Sequence, residues 1–89
     1  MFNVLAKLKM KGLLEYVSLN NIDIISTKNQ PTNGYHCIFK YNGKLLSMVY
    51  WQKYNQIEFW DYVSDDPDVF DYNKKNMKRI RSYIFEFFC

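Results

Sequence analysis

The chain has one histidine, two cysteines and three glycines in 89 residues, and each scarcity closes off a class of function. His36 stands beside Cys37, but neighbours in a strand point to opposite sheet faces, so they form no Cys–His pair for nucleophilic catalysis. Two cysteines do not make a secreted disulfide scaffold. Cys37 falls in an apparent strand and Cys89 is the last residue, so both read as reduced thiols of a cytoplasmic protein. Gly12, Gly34 and Gly43 are too scattered to build a phosphate-binding loop. Asp65, Asp66, Asp68 and Asp71 cluster, but without the spacing, central glycine and closing glutamate of a calcium loop. No stretch approaches the roughly 20 apolar residues of a membrane span, and Lys7, Lys9 and Lys11 interrupt the early apolar residues where a secretory segment would be continuous. The inventory predicts a chain that is not an enzyme, with no cofactor, no metal, no small-molecule substrate and no membrane partner.

What is abundant is apolar and aromatic surface. The hydrophobic fraction is 48% and the aromatic fraction 19%, too rich for a disordered chain, while the length allows one core and therefore a single domain over residues 1–89. Lysine greatly outnumbers arginine, and Asn, Ile, Tyr and Phe are frequent, as AT-rich coding sequences produce. Low-GC bacteria, their phages and plasmids, and some large viruses share that usage.

The periodicities predict an α+β domain: an antiparallel meander of three to four strands with an N-terminal and a C-terminal helix packed on it. Residues 2–19 are mostly good helix formers, with Leu5, Leu8, Leu13, Tyr16 and Val17 in one arc. A rival reading makes residues 2–11 an edge strand broken at Gly12, because apolar residues alternate there with lysines. Residues 22–28 are β-branched and bounded by polar residues, as a strand would be, and a loop is expected over 29–34. Asn42-Gly43 is the pair that best tolerates positive φ at both centres of a type I′ turn, so residues 35–41 and 44–52 should form a hairpin. A two-residue loop pairs Tyr41 with Lys44, Phe39 with Leu46, Cys37 with Met48 and Tyr35 with Tyr50, which defines an apolar core face. Residues 56–63 alternate again, with Ile57 and Phe59 inward. Asp65 or Asp66 as N-cap, Pro67 at the first position, and Asp68 and Asp71 adding negative charge near the positive end of the dipole predict the start of the last helix. Met77, Ile80, Ile84 and Phe87 would be its buried stripe, with Asn76 and Tyr83 at the edge.

Two surfaces are left to carry function. With both helices on the core face, Ile38, Leu45, Val49, Trp51, Trp60 and Tyr62 remain on the other side with His36, Lys40 and Glu58. A patch so apolar suits a partner protein or a second copy of the chain, with Trp51, Trp60, Tyr62, Ile38, Val49, His36 and Lys40 as contact residues. The alternative is that the N-terminal helix covers this face and makes it a second core. The other surface is the cationic side of the last helix, where Lys74, Lys75, Lys78, Arg79 and Arg81 could bind the phosphates of nucleic acid. A net charge of +3 and the acidic residues between Glu58 and Asp71 temper that reading. Small size, AT-rich residue usage and a sticky face also fit a phage or mobile-element accessory protein, such as an inhibitor of a host nucleic-acid enzyme.

Residues 35–46, with the Asn42-Gly43-Lys44 turn, resemble the central hairpin of the double-stranded RNA-binding domain, and Lys74, Lys75 and Lys78 are similar to its Lys-Lys-x-x-Lys phosphate contacts. The chain departs from that family in lacking the Gly-Pro-x-His loop, in placing Arg81 and Ser82 at alanine-rich packing positions, and in the extra strand over 56–63. On these departures the chain is not assigned to it.

Overall fold

The computed structural model describes residues 2–29 and 34–89, with side chains over 6–26 and 34–89. Residues 30–33, most of the expected loop, lie outside the described residues, as does the side chain of Leu5.

The N-terminal region is helical, which removes the edge-strand reading. It forms α1 (Phe2–Lys9) and α2 (Lys11–Leu19). The break falls at Met10, with φ −94° and ψ 11°, and not at Gly12. Helical bonding persists across it, Met10 N donating to Ala6 O and Leu14 N to Met10 O, both at 3.0 Å. The buried stripe is Ala6, Met10, Leu13, Leu14 and Val17, whereas Leu8 is largely exposed, so the expected arc is rotated toward Ala6 and Met10. Asn21 ends α2 at φ 60°, with Ile22 N donating to Val17 O and Asn21 N to Ser18 O. This is a Schellman closure with asparagine in the left-handed position, and buried Ile22 and Val17 supply its hydrophobic contact.

Five antiparallel strands follow as a simple meander: β1 (Asp23–Asn29), β2 (Gly34–Tyr41), β3 (Lys44–Trp51), β4 (Gln56–Trp60) and β5 (Asp68–Asp71), side by side in that order. Asn42 and Gly43 adopt φ 52° and 81°, and the β2–β3 register is the expected one, Tyr41 opposite Lys44 through Tyr35 opposite Tyr50. β1 carries a bulge between Ile24 and Ser26. β4 stops at Trp60, short of Val63, because the Asp61 carboxylate accepts from the Val63 and Ser64 amides at 2.9 and 2.8 Å and turns the chain. Those bonds, Ser64's foremost, hold the Asp61 carboxyl below its ordinary range.

The fold is thus the expected α+β sheet with terminal helices, but the sheet has five strands rather than three or four. The fifth comes from the segment expected to open the last helix. Phe70 pairs with Ile57 on the inner side, and its ring meets Phe59 and Tyr83 edge-on at 5.9 and 5.5 Å. Asp65, Asp66 and Pro67 therefore lie in the β4–β5 connection, while Asp68 and Asp71 bound β5. The helix, α3 (Lys74–Phe88), starts later. Its cap is Asn73, whose Oδ1 accepts from the Asn76 amide at 2.9 Å, and its first turn holds no acidic residue. Its buried residues are Ile80, Ile84 and Phe88, with Met77, Tyr83 and Phe87 packed alongside. α3 ends near the β2–β3 turn, where the Tyr41 and Phe88 rings meet at 6.1 Å.

One cluster unites Ala6, Met10, Leu13 and Val17 with Ile80, Ile84 and Phe88, over Tyr35, Cys37, Phe39, Leu46, Met48, Tyr50, Ile57 and Phe59 of the sheet. All three helices therefore pack on the same side. Two phenols in this layer are paired: Tyr72 hydroxyl donates to Lys9 O at 2.8 Å, and Tyr50 hydroxyl to Asn55 Oδ1 at 2.7 Å.

The position of the cap is open to a direct test. Replacing Asn73 with alanine should lower unfolding stability by about 1 kcal/mol in urea titration, since an Asn cap is lost. Asp66→Ala should leave the midpoint within about 0.5 kcal/mol, as expected for a surface substitution.

Candidate functional site

Alternation along the strands fixes what the other side of the sheet presents. Since Cys37, Phe39, Met48, Tyr50, Ile57 and Phe59 face the helices, the intervening residues face away. They form three rows: Ser26, Ile38, Ser47 and Trp60; then His36, Val49, Glu58 and Val69; then Trp51, Gln56 and Asp71. Lys40 and Leu45 pair beyond them, toward the β2–β3 turn. Among the described residues no helix packs on this face, so the alternative of a second core beneath the N-terminal helix does not hold.

The face is apolar but not bare. Val49 and Ser47, at its centre, are 8% and 5% exposed, sheltered by the side chains that stand around them. Trp51 and Trp60 are half-buried, not fully presented. Trp60 Nε1 donates to Glu58 Oε2 at 3.3 Å, and Trp51 Nε1 is buried with no hydrogen-bond partner. Leu45, Ile25 and Val69 are the more open apolar groups, at 40, 50 and 48%.

Of the residues expected on this surface, Ile38, Val49, Trp51, Trp60, His36 and Lys40 are on it. Tyr62 is not: it lies two residues past the end of β4 at φ 68°, exposed in the turn that Asp61 organises. Two contributors were missed. Val69 becomes outward-facing once residues 68–71 are read as a strand, and the alternation around Phe70 carried that signal. Ile25 is displaced by the bulge in β1, which no local pattern announces.

His36 is more constrained than a lone sheet histidine. Its Nε2 lies 2.6 Å from Ser47 Oγ, across the β2–β3 pairing. A base against a hydroxyl is the spacing of an activated nucleophile, but Ser47 is nearly sealed between Ile38 and Trp60, where a substrate carbonyl has no approach. The other candidate nucleophile, Cys37, is wholly buried on the opposite side, and burial pushes its thiol up to about 11. Among the described residues no three His, Cys, Asp or Glu side chains come together as a metal site, and no helix is long and apolar enough to cross a membrane.

The cationic side of α3 is divided by packing. Lys74, Lys75, Lys78 and Arg79 are exposed, whereas Arg81 is half-buried against α2. Its Nη2 donates to Gly12 O at 3.3 Å, and its guanidinium lies 5.1 Å from the Tyr16 ring centroid. Arg79 reaches over Phe70 at 6.0 Å. Among the described residues the single ion pair is Lys11 with Glu15, so none of the five has a carboxylate partner.

The two thiols should separate cleanly in alkylation. At pH 8, iodoacetamide should modify exposed Cys89 and spare Cys37 in the folded chain, with both modified in denaturant, as read by mass spectrometry. The raised thiol also carries a pH dependence. The unfolded thiol ionises first, near 9, so this group's contribution to stability is full below pH 9 and is lost as pH rises toward about 11. A Cys37→Ala comparison in the same pH series isolates it.

No protein-family model, no curated protein and no solved structure matches the chain.

Proposed function

We propose that this chain is a non-enzymatic binding protein whose outer sheet face takes a protein partner, with a second copy of the chain included among the partners. The observation that carries the reading is the one-sided cover: all three helices lie on one face, and the other keeps Ile38, Val49, Trp51, Trp60, Leu45 and Val69 with no helix over them among the described residues. Five strands about 4.8 Å apart, of 7, 8, 8, 5 and 4 residues at about 3.4 Å each, give a flat projection of roughly 500 Å². Side-chain relief brings that toward the ~800 Å² per partner of a standard interface. The composition of the face supports the same reading: Trp51 and Trp60 at the ends of β3 and β4 flank the apolar Ile38 and Val49, and Lys40, Glu58 and Asp71 supply charges that set register. An accessory protein of a phage or mobile element, inhibiting a host nucleic-acid enzyme, is the biological role that the residue usage and small size favour.

Leu45→Glu and Trp60→Ala test the face without touching the helical core. Both variants should keep wild-type circular dichroism. Each should lose at least tenfold in self-association by sedimentation velocity, or in affinity for the partner recovered from the native host after nuclease treatment. A wild-type chain that stays monomeric at micromolar concentration, and recovers the same proteins as Leu45→Glu, would remove the reading.

A further inference from the structure

On the helical side of the molecule, away from the sheet face, α2 and α3 enclose an open groove of about 610 Å³. Tyr16 lines it from α2, and Lys74, Met77, Lys78, Arg81, Ser82, Phe85 and Glu86 from α3. The spacing 74, 78, 81, 85 puts three cations and a phenyl ring on one continuous stripe of the helix.

This stripe opposes the helix that carries it. Lys74 and Lys75 occupy the first two positions of α3, where the helix dipole favours anions, and no acid is present in that turn. Lys74 with Lys78 and Lys75 with Arg79 are like-charge pairs four residues apart, which disfavour the helix further. The chain has nine acidic residues, yet none lies within ion-pair distance of these cations among the described residues. Arg81 is held in place by Gly12 O and the Tyr16 ring, with Tyr16 hydroxyl donating to Arg81 O at 3.4 Å, but its Nε is buried without a hydrogen-bond partner. Phe85 stands one turn beyond Arg81 and is 50% exposed, on the outward side of a helix whose inward side already holds Ile80, Ile84 and Phe88. Packing thus accounts for Arg81 but for neither Lys74 and Lys78 nor the ring.

We propose that the α2–α3 groove binds single-stranded nucleic acid, its phosphates following Lys74, Lys78 and Arg81 and one base stacking on Phe85. Anionic backbone and an accessible base face are the two features the stripe complements, and a single strand offers both together. A duplex offers the phosphates but keeps its bases stacked within, leaving Phe85 without a partner. The Glu86 carboxylate also lines the groove and repels phosphate, which confines the backbone to the stretch from Lys74 to Arg81. That stretch is about 10 Å long at 1.5 Å per residue.

Fluorescence anisotropy with the full chain decides the proposal, using a labelled oligothymidylate, a duplex of equal length, and thymidine triphosphate as competitor. The oligothymidylate should bind with a log–log salt slope of about −2, as three phosphate contacts on a single strand give. Lys74→Glu combined with Lys78→Glu should abolish binding. Phe85→Ser should weaken it about tenfold with the slope unchanged, and Phe85→Tyr should restore it. Leu45→Glu, on the sheet face, should bind like wild type, so failure here and failure of the protein-binding reading are separately visible. The proposal is overturned by no binding at low salt, by duplex binding equal to or tighter than the single strand, by displacement at stoichiometric thymidine triphosphate, or by Phe85→Ser retaining full affinity while circular dichroism shows it folded.

Discussion

Asn42 and Gly43 reverse the chain at φ 52° and 81°, and the two-residue turn leaves the flanking strands one way to pair. Because strand side chains alternate, that register decides which residues of β2 share a face with those of β3, and a slip of β2 by one would put Tyr35, Cys37 and Phe39 outside and His36 and Lys40 in the core while Met48 and Tyr50 stayed inside. β4 inherits the choice through Met48 opposite Phe59, and β5 through Ile57 opposite Phe70. Each inherited pair places another aromatic or aliphatic group under the helices. The two-layer architecture follows: one face of the sheet buries Cys37 and seven large side chains, and three helices suffice to cover it.

That dependence explains which parts of the fold were legible. The central hairpin depends on two adjacent residues and strict alternation, so it could be read locally and its register holds. The helical nature of residues 2–19 was legible from propensity, but its buried arc was not. Its break at Met10 and the burial of Ala6 in place of Leu8 come from the sheet beneath, which propensity does not see. The start of α3 is the most instructive difference. Asp65-Asp66-Pro67 has good capping chemistry, and nothing local argues against a helix there. Yet the chain gains more by giving Phe70 to the Phe59–Tyr83 cluster, where Tyr83 stacks on Phe59 at 4.6 Å, and by burying Tyr72 against Tyr50. A second cap of ordinary quality, Asn73, waits just beyond, so the delayed helix still has its Asn76 amide capped.

The candidate surfaces divide the same way. Membership of the outer face was legible wherever alternation within a strand decided it, as for His36, Ile38, Val49, Trp51 and Trp60. It failed where the strand itself ended or distorted, as at Tyr62 and Ile25. Arg81 shows a different failure. A helical wheel groups it with Lys74 and Lys78, but only the crossing of α2 against α3 reveals that Gly12 and Tyr16 hold its guanidinium. It also hides that Phe85 is left outside the core while its neighbour Ile84 is sealed within it.

The acidic and basic residues are adjacent in sequence yet serve different surfaces. Glu58 and Asp71 stand on the outer sheet face, and Asp61 is spent on its own turn. Asp68 accepts from the Tyr83 hydroxyl at 2.6 Å, which ties the edge of the sheet to α3 and, after burial, helps push that phenol above its ordinary range. None of them neutralises Lys74, Lys78 or Arg81, so the net charge of +3 understates the field along the α2–α3 groove. A ligand drawn by that field meets the helical layer, while a partner seated on Trp60 and Leu45 meets the reverse of the sheet. The core separates the two surfaces, so a ligand on one does not obstruct the other.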